Sequence, residues 1–312
     1  MTVSVLCGGV GAARLLAGLV RAVPPGGATA IVNTGDDMVL HGLAISPDLD
    51  TVVYTVAGAI DPERGWGLRD ESWQAMATLE RYGGATWFGL GDRDLGTHLY
   101  RTQRLAEGAA LSTVTAEIAR AWGLELAVVP VTDDPVRTML TLAGPDGEPG
   151  EEIAFQDYFV ARRHAVPVAS VRVAGAEASA PAPGVLDALA AADAVIVAPS
   201  NPIVSIGPVL AVPGVREAVT ARRESVVAIS PIVGGKALKG PADRLLRELG
   251  HDDSVAGVAR LYAPFAGTLV IDHADAAHAD AVRAAGLRCV VTDTIMRDPD
   301  AASALCKVVL GR

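Results

Sequence analysis

The sequence predicts an α/β fold, a doubly wound and mainly parallel Rossmann-like sheet with a small β-rich insertion, on three observations. Short runs of Val, Ile, Leu and Ala alternate with segments of helical periodicity, a glycine-rich loop follows the first run, and later runs end in polar or glycine-rich turns. Parallel strands are covered by helices on both faces, so they read as continuous apolar runs.

Val3 to Cys7 is the first run, and Gly8-Gly9-Val10-Gly11 follows it. Ala12, Leu15, Leu16, Leu19 and Val23 then keep helical spacing until Pro24-Pro25-Gly26-Gly27 stops the helix. Ala30-Ile31-Val32 reads as the second strand. Further strands are predicted at Ala85 to Leu90, Leu126 to Val131, Ala194 to Ala198, Val226 to Ile229, Leu269 to Ile271 and Cys289 to Val291. Asp70 is read as the cap of a helix that carries Trp73, Met76 and Ala77 and ends at Gly83-Gly84. Pro241 opens another helix, with Ala242, Leu245, Leu246 and Leu249 on one face.

The middle of the chain breaks this rhythm. Thr138 to Ala143 and Glu152 to Phe159 flank the turn-rich stretch from Gly144 to Gly150, and with Val168 to Val173 they predict the insertion. The expected organisation is one Rossmann-like domain over residues 1–312, with 138–180 as that insertion.

Half of the 312 residues are hydrophobic, yet no run approaches the ~20 apolar residues that span a bilayer. The first residues lack the positive start of a signal peptide, so a soluble, cytoplasmic protein is expected. A net charge of −10 argues against a nonspecific nucleic-acid surface, which needs Lys and Arg to neutralise phosphates. A local cationic site for a small anion is still compatible with that charge. Cys7, Cys289 and Cys306 are far apart and form no CxxC pair; Cys7 and Cys289 sit in apolar runs as small core residues.

The densest chemistry follows the second strand. Asn33-Thr34-Gly35-Asp36-Asp37 leads to His41-Gly42 and then to Ser46-Pro47-Asp48-Leu49-Asp50-Thr51. Carboxylates gathered on a loop suit Mg²⁺, which takes hard oxygen ligands from one or two carboxylates plus substrate phosphates. Turn chemistry alone also favours Asp and Asn at such places.

Gly8, Gly9 and Gly11 let backbone amides approach a phosphate at a helix N-terminus. Arg14 stands where a dinucleotide fingerprint has its third glycine, and a ligand-free tight turn fits the loop equally well. Pro199-Ser200-Asn201-Pro202 fixes a strand end so that amides, Ser200 and Asn201 point one way, for a phosphate or as a helix cap. Gly234-Gly235-Lys236 and Lys239 place cations at a helix entrance. Arg93, between Asp92 and Asp94, either pairs with them or turns to a substrate, and His98 is read as a packing residue.

No HExxH, GxSxG or CxxC occurs, which removes support for zinc or serine hydrolysis. In open α/β sheets the strand carboxyl ends line one cleft. A phosphate cradle, a carboxylate cluster and cations on that edge are the parts of phosphoryl or nucleotidyl transfer.

The stretches CGGVGAARLL, NTGDDMVLHGLAISPDLDTVVYTVAG, WFGLGDRDLGTH, DDPVRT, FQDYFV, APSNPIVSIGPVL, SPIVGGKALKGPAD and DTIM run in order from about residue 7 to residue 296. Together they resemble the 2-phospho-L-lactate transferase family of coenzyme F420 biosynthesis, which includes phosphoenolpyruvate transferases. One departure is that Gly11 is followed by Ala12-Ala13, where many members have another glycine.

The resemblance implies a Mg²⁺-dependent, homodimeric enzyme. Its substrates would be the deazaflavin Fo and a guanosine diphosphate-linked three-carbon acid, phospholactate or phosphoenolpyruvate in origin. The ribityl hydroxyl of Fo would attack the phosphorus that bears the acid and release GMP. Carried over by residue, Asp36 and Asp50 are the catalytic carboxylates and metal ligands, with Asp37 and Asp48 as alternates. Asp50 and Arg93 would also contact Fo, while Gly8, Gly9, Gly11, Ser200, Asn201 and Lys236 would hold the guanosine diphosphate.

Two rivals share the fold: a nonenzymatic regulator that binds a nucleotide-diphosphate sugar, and an NAD-dependent dehydrogenase. The segments Trp87 to Asp94 and Phe155 to Phe159, read as an aromatic Fo pocket and its cover, favour the transferase.

Overall fold

The structure is a computed structural model that describes residues 1–144 and 148–311. Three residues of the predicted turn-rich stretch, Pro145 to Gly147, lie outside the described residues. The chain runs β1 (Val3–Cys7), α1 (Gly9–Leu19), β2 (Ala28–Val32), β3 (Met38–Leu40), β4 (Leu43–Ile45), α2 (Pro47–Val56), α3 (Gln74–Arg81), α4 (Asp94–Ala106), α5 (Leu111–Ala121) and β5 (Ala127–Pro130). It continues with β6 (Arg137–Ala143), β7 (Pro149–Ala154), β8 (Val168–Ala174), α6 (Val185–Ala191), β9 (Ala194–Val197), α7 (Gly207–Ala211), α8 (Val215–Thr220) and β10 (Val226–Ile229). The last part is β11 (Ile232–Val233), β12 (Lys236–Ala237), α9 (Ala242–Glu248), α10 (Val255–Tyr262), β13 (Thr268–Asp272), α11 (Ala279–Ala284), β14 (Arg288–Thr292) and α12 (Pro299–Val309).

Seven strands form one sheet in the order β14-β13-β10-β9-β1-β2-β5, and every pair in it is parallel. The predicted fold class is the observed one. Apolar side chains leave both faces of β1: Val3, Val5 and Cys7 pack in one core, and Leu6 in the other. The first core is closed by residues of α1, α2, α5 and α12, the second by residues of α6, α8, α10 and α11. Double burial is why these strands were visible as apolar runs.

The strand order reverses at β1 and β9, which are neighbours although about 190 residues apart in the chain. Their carboxyl ends release Gly8 and Pro199-Ser200, and the Ser200 hydroxyl donates to the Gly8 carbonyl at 2.8 Å across that point. Two excursions flank the same edge. One holds the β3–β4 hairpin and α3 to α5; the other is the antiparallel sheet β7-β6-β8.

Four expectations change. Ala85 to Leu90 is not a strand. Its apolar side chains pack instead of pairing: Leu90 is buried with Ile45 and Met76, and Trp87 meets Phe88 edge-on. It follows that Gly91-Asp92-Arg93-Asp94 is not a strand-end turn but the entrance to α4. Asp70 does not cap α3, because it sits in the left-handed region with φ 56 and Trp73 is the cap residue. The cap is made in trans by Asp92, whose carboxylate accepts from the backbone N–H groups of Gln74 and Ala75. Finally, β7 stops at Ala154, and Asp157–Ala161 forms a π-helical turn where extended chain was expected.

Candidate active site

The glycine loop is shaped by what crowds it. A Cβ on Gly8 would meet Asp48 Oδ2 at 2.7 Å, and one on Gly11 would meet the Pro199 carbonyl at 2.5 Å. Only glycine permits backbone from β1 and β9 to approach this closely. The Gly9 N–H is already committed, donating to Asp48 Oδ1 at 2.8 Å, and Asn33 Nδ2 donates to Asp48 Oδ2 at 2.9 Å. Asp48 therefore fills the anion position at the N-terminus of α1, which leaves the Gly11 side of the loop for a ligand.

On that side lies a cavity of about 110 Å³ lined by Gly11, Arg14, Asn201, Ser230, Lys239 and Thr294. Partial burial, and then the charge of Arg14, hold the Lys239 ammonium below the ordinary lysine range. Among the described residues neither cation has a carboxylate partner. Two unpaired cations on a protein of net charge −10 make this a local anion site. Arg14 was not among the predicted ligands; of the two lysines read as cations at a helix entrance, Lys239 lines the cavity, whereas Lys236, the one carried over as a ligand, is exposed on β12 and does not. Asn201 lines it, while its Oδ1 accepts from Ile203 N–H at 2.9 Å and caps the turn that follows.

A second cavity, of about 140 Å³, opens between the β3–β4 hairpin and the small sheet. Asp36, Asp37, Trp87, Arg137, Phe155 and Gln156 are among its walls. Phe155, from the segment read as an aromatic cover, lines this cavity and stacks on Phe159 with centroids 5.4 Å apart. The Asp36 and Asp37 Oδ1 atoms are buried without a hydrogen-bond partner. Burial, and then the charge of Asp48, push Asp36 well above the usual carboxylate range. Burial lifts Asp37 to about 8 against the hydrogen bond from Ser46, and lifts Asp48 to about 6 against its bond from Asn33.

Asp50 has a different environment. It is buried, and Arg101 takes both of its oxygens: Nη1 donates to Oδ2 at 3.1 Å and Nη2 to Oδ1. Arg101 is itself 1% exposed, and His98 lies beside it, between Asp50 and Asp94. Tyr54 donates to Asp94 Oδ1 at 2.6 Å. His98 is thus a buried linker rather than simple packing. Arg93 is exposed, makes no ion pair with Asp92 or Asp94, and donates to the Arg69 carbonyl at 2.6 Å.

Mg²⁺ needs few protein ligands when a substrate phosphate and waters complete its shell. Among the described residues no three acidic, imidazole or thiol side chains converge as a protein-built cage. The buried Oδ1 atoms of Asp36 and Asp37 fit the smaller requirement, since among the described residues neither has a hydrogen-bond partner. Asp50, gripped by Arg101, does not offer a free oxygen in this arrangement.

An all-parallel switch-point sheet with two cavities, one lined by cations and one by carboxylates, on its carboxyl edge defines a Rossmann-like α/β protein. Within that class, the chain belongs to the 2-phospho-L-lactate transferase family, whose model, 2-phospho-L-lactate transferase CofD, matches residues 3–309. It is a transferase of coenzyme F420 biosynthesis, as the sequence motifs implied. A phosphoenolpyruvate transferase of Streptomyces griseus subsp. griseus is 45% identical, over 99% of this chain and 98% of the relative. One from Mycobacterium avium is 42% identical, over 96% and 95%. Protein BH3568 of Bacillus halodurans, described as a member of the UPF0052 family, superposes with a TM-score of 0.65 over 99% of both chains at 18% identity, a likeness of fold alone. Among the described residues no helix is long and apolar enough to cross a membrane.

Proposed function

We propose that the protein moves a phosphoenolpyruvyl or phospholactyl group from a guanosine diphosphate-linked donor to the ribityl hydroxyl of Fo. The observation that carries this reading is the pair of cavities on one sheet edge, one lined by Arg14 and Lys239 and the other by Asp36 and Asp37. The relatives' names favour phosphoenolpyruvyl as the group moved.

The donor's guanosine diphosphate lies on the Gly11 side of the loop, with Arg14 and Lys239 on its phosphates and Asn201 beside them, while Gly8 and Gly9, whose turn is held by Ser200 and Asp48, shape the loop and do not touch it. Ser200 keeps the loop in shape through Gly8, and Lys236 adds charge at the entrance. Asp36 holds Mg²⁺, with Asp37 in the second position; Asp50 would join only with its Arg101 pair opened. Mg²⁺ there would neutralise phosphoryl charge as it develops. Asp50, oriented by Arg101, and Arg93 face Fo. The new bond joins the ribityl oxygen to the acid-bearing phosphorus, the bond to the GMP oxygen breaks, and the hydroxyl proton passes to a carboxylate.

The test is a mass-resolved assay with Mg²⁺, Fo and the guanosine diphosphate adducts of lactate and enolpyruvate, separately and in competition. GMP release with an Fo phosphodiester is expected; Asp36→Asn should abolish it with the fold intact, and Asp50→Asn should abolish it while lowering the unfolding midpoint, because it leaves the buried Arg101 charge uncompensated. Near-normal turnover in either variant would remove that residue from the mechanism. Tight nucleotide-sugar binding without Fo binding would replace the transferase reading by the regulator.

A further inference from the structure

Arg137, the first residue of β6, lines the carboxylate cavity and is exposed. Among the described residues its side chain makes no ion pair or hydrogen bond, although Asp36, Asp37 and Asp157 line the same cavity. Gln156, 7% exposed, lines that wall too, and its side-chain amide has no protein partner among the described residues. An uncommitted guanidinium and amide on one cavity wall offer donors to a ligand that brings acceptors.

Size and charge narrow that ligand. A water takes about 30 Å³ of liquid, so a cavity of about 140 Å³ holds the equivalent of roughly four to five waters, the bulk of a three-carbon acid. An anion entering among three carboxylates needs a cation, and a guanidinium fork matches a carboxylate in two parallel hydrogen bonds. Arg14 and Lys239 belong to the other cavity, and Arg101, whose charge reaches Asp37, is committed to Asp50.

Building on the transferase reading above, we propose that Arg137, supported by the Gln156 amide, receives the carboxylate of the three-carbon acid and so determines specificity for an acid-bearing donor. Motif inspection missed it because Arg137 stands alone in the DDPVRT stretch; only the small sheet folding back on the β3–β4 hairpin gives it a cavity.

The experiment compares the native chain with Arg137→Gln and Arg137→Lys, using Mg²⁺, Fo and two donors: guanosine diphosphate-linked enolpyruvate and its neutral amide counterpart. The native chain should prefer the acid by roughly 10- to 100-fold in kcat/KM, the worth of a charged hydrogen-bonded contact. Arg137→Gln should lose that factor on the acid, keep its rate on the amide, and so bring the preference near unity. Arg137→Lys should retain part of it, having charge without the fork. Arg137 is exposed at a strand start, so matched unfolding midpoints are expected for all three chains. Equal losses on both donors would show a structural role and overturn the proposal. A raised KM for Fo with the acid preference intact would assign Arg137 to the acceptor and overturn it too. If the native chain turns over neither donor, the transferase reading falls and takes this inference with it.

Discussion

Asp36, Asp37, Asp48 and Asp50 lie on one short segment, yet each meets a different neighbour: none for one oxygen of Asp36 and Asp37, a backbone amide and Asn33 for Asp48, and Arg101 for Asp50. The two unsatisfied carboxylates cost stability that a bound cation would recover. Asp37 gives this a measurable sign. Burial raises it from 3.8 to about 8, so over that interval the native state holds a proton that the unfolded chain has lost. Its contribution is full below the unfolded value and disappears as pH rises through about 8. Metal-free protein should therefore show a falling unfolding midpoint from about pH 5 to about pH 9. Asp37→Asn should flatten that fall, and an unchanged slope would acquit Asp37. These residue types were legible as a cluster, but partners such as Arg101, 51 residues along the chain from Asp50, were not.

At the scale of elements, strands buried on both faces were read closely: β1, β10 and the central residues of β13 and β14 lie where the apolar runs put them. Periodicity fails where an apolar run packs without pairing, as at Ala85 to Leu90, since a strand needs a ladder partner that local sequence does not reveal. It also fails where a cap comes from elsewhere. Asp92 closes the N-terminus of α3 and binds the Ser72 hydroxyl, so Asp92→Ala should cost about 1 kcal/mol in chemical denaturation. Faster hydrogen exchange at Gln74 and Ala75 should accompany it. Unchanged exchange there would mean that α3 holds its first turn by packing alone.

For the whole molecule, an overall charge of −10 coexists with one uncompensated cation pair at the strand-order reversal. That arrangement makes nucleotide binding visible as stability. GDP at about 100 times its Kd should stabilise the native state by about 2.7 kcal/mol, raising the unfolding midpoint. Arg14→Gln and Lys239→Gln should each shrink the shift; a native chain indifferent to GDP would deny the cavity this ligand.

The chain by itself determined the fold class, the glycine loop, the carboxylate segment and the family. Those are local matters, written in apolar runs that must be buried on both faces and in residues whose backbone or charge admits few uses. Tertiary structure alone decided which carboxylate is free and which is paired, that Lys239 rather than Lys236 lines the cavity beside the glycine loop, and that Arg137 lines the other. The reason is that pairing and desolvation depend on groups brought together from distant parts of the chain by the sheet order and its two excursions, and a linear sequence does not carry those distances.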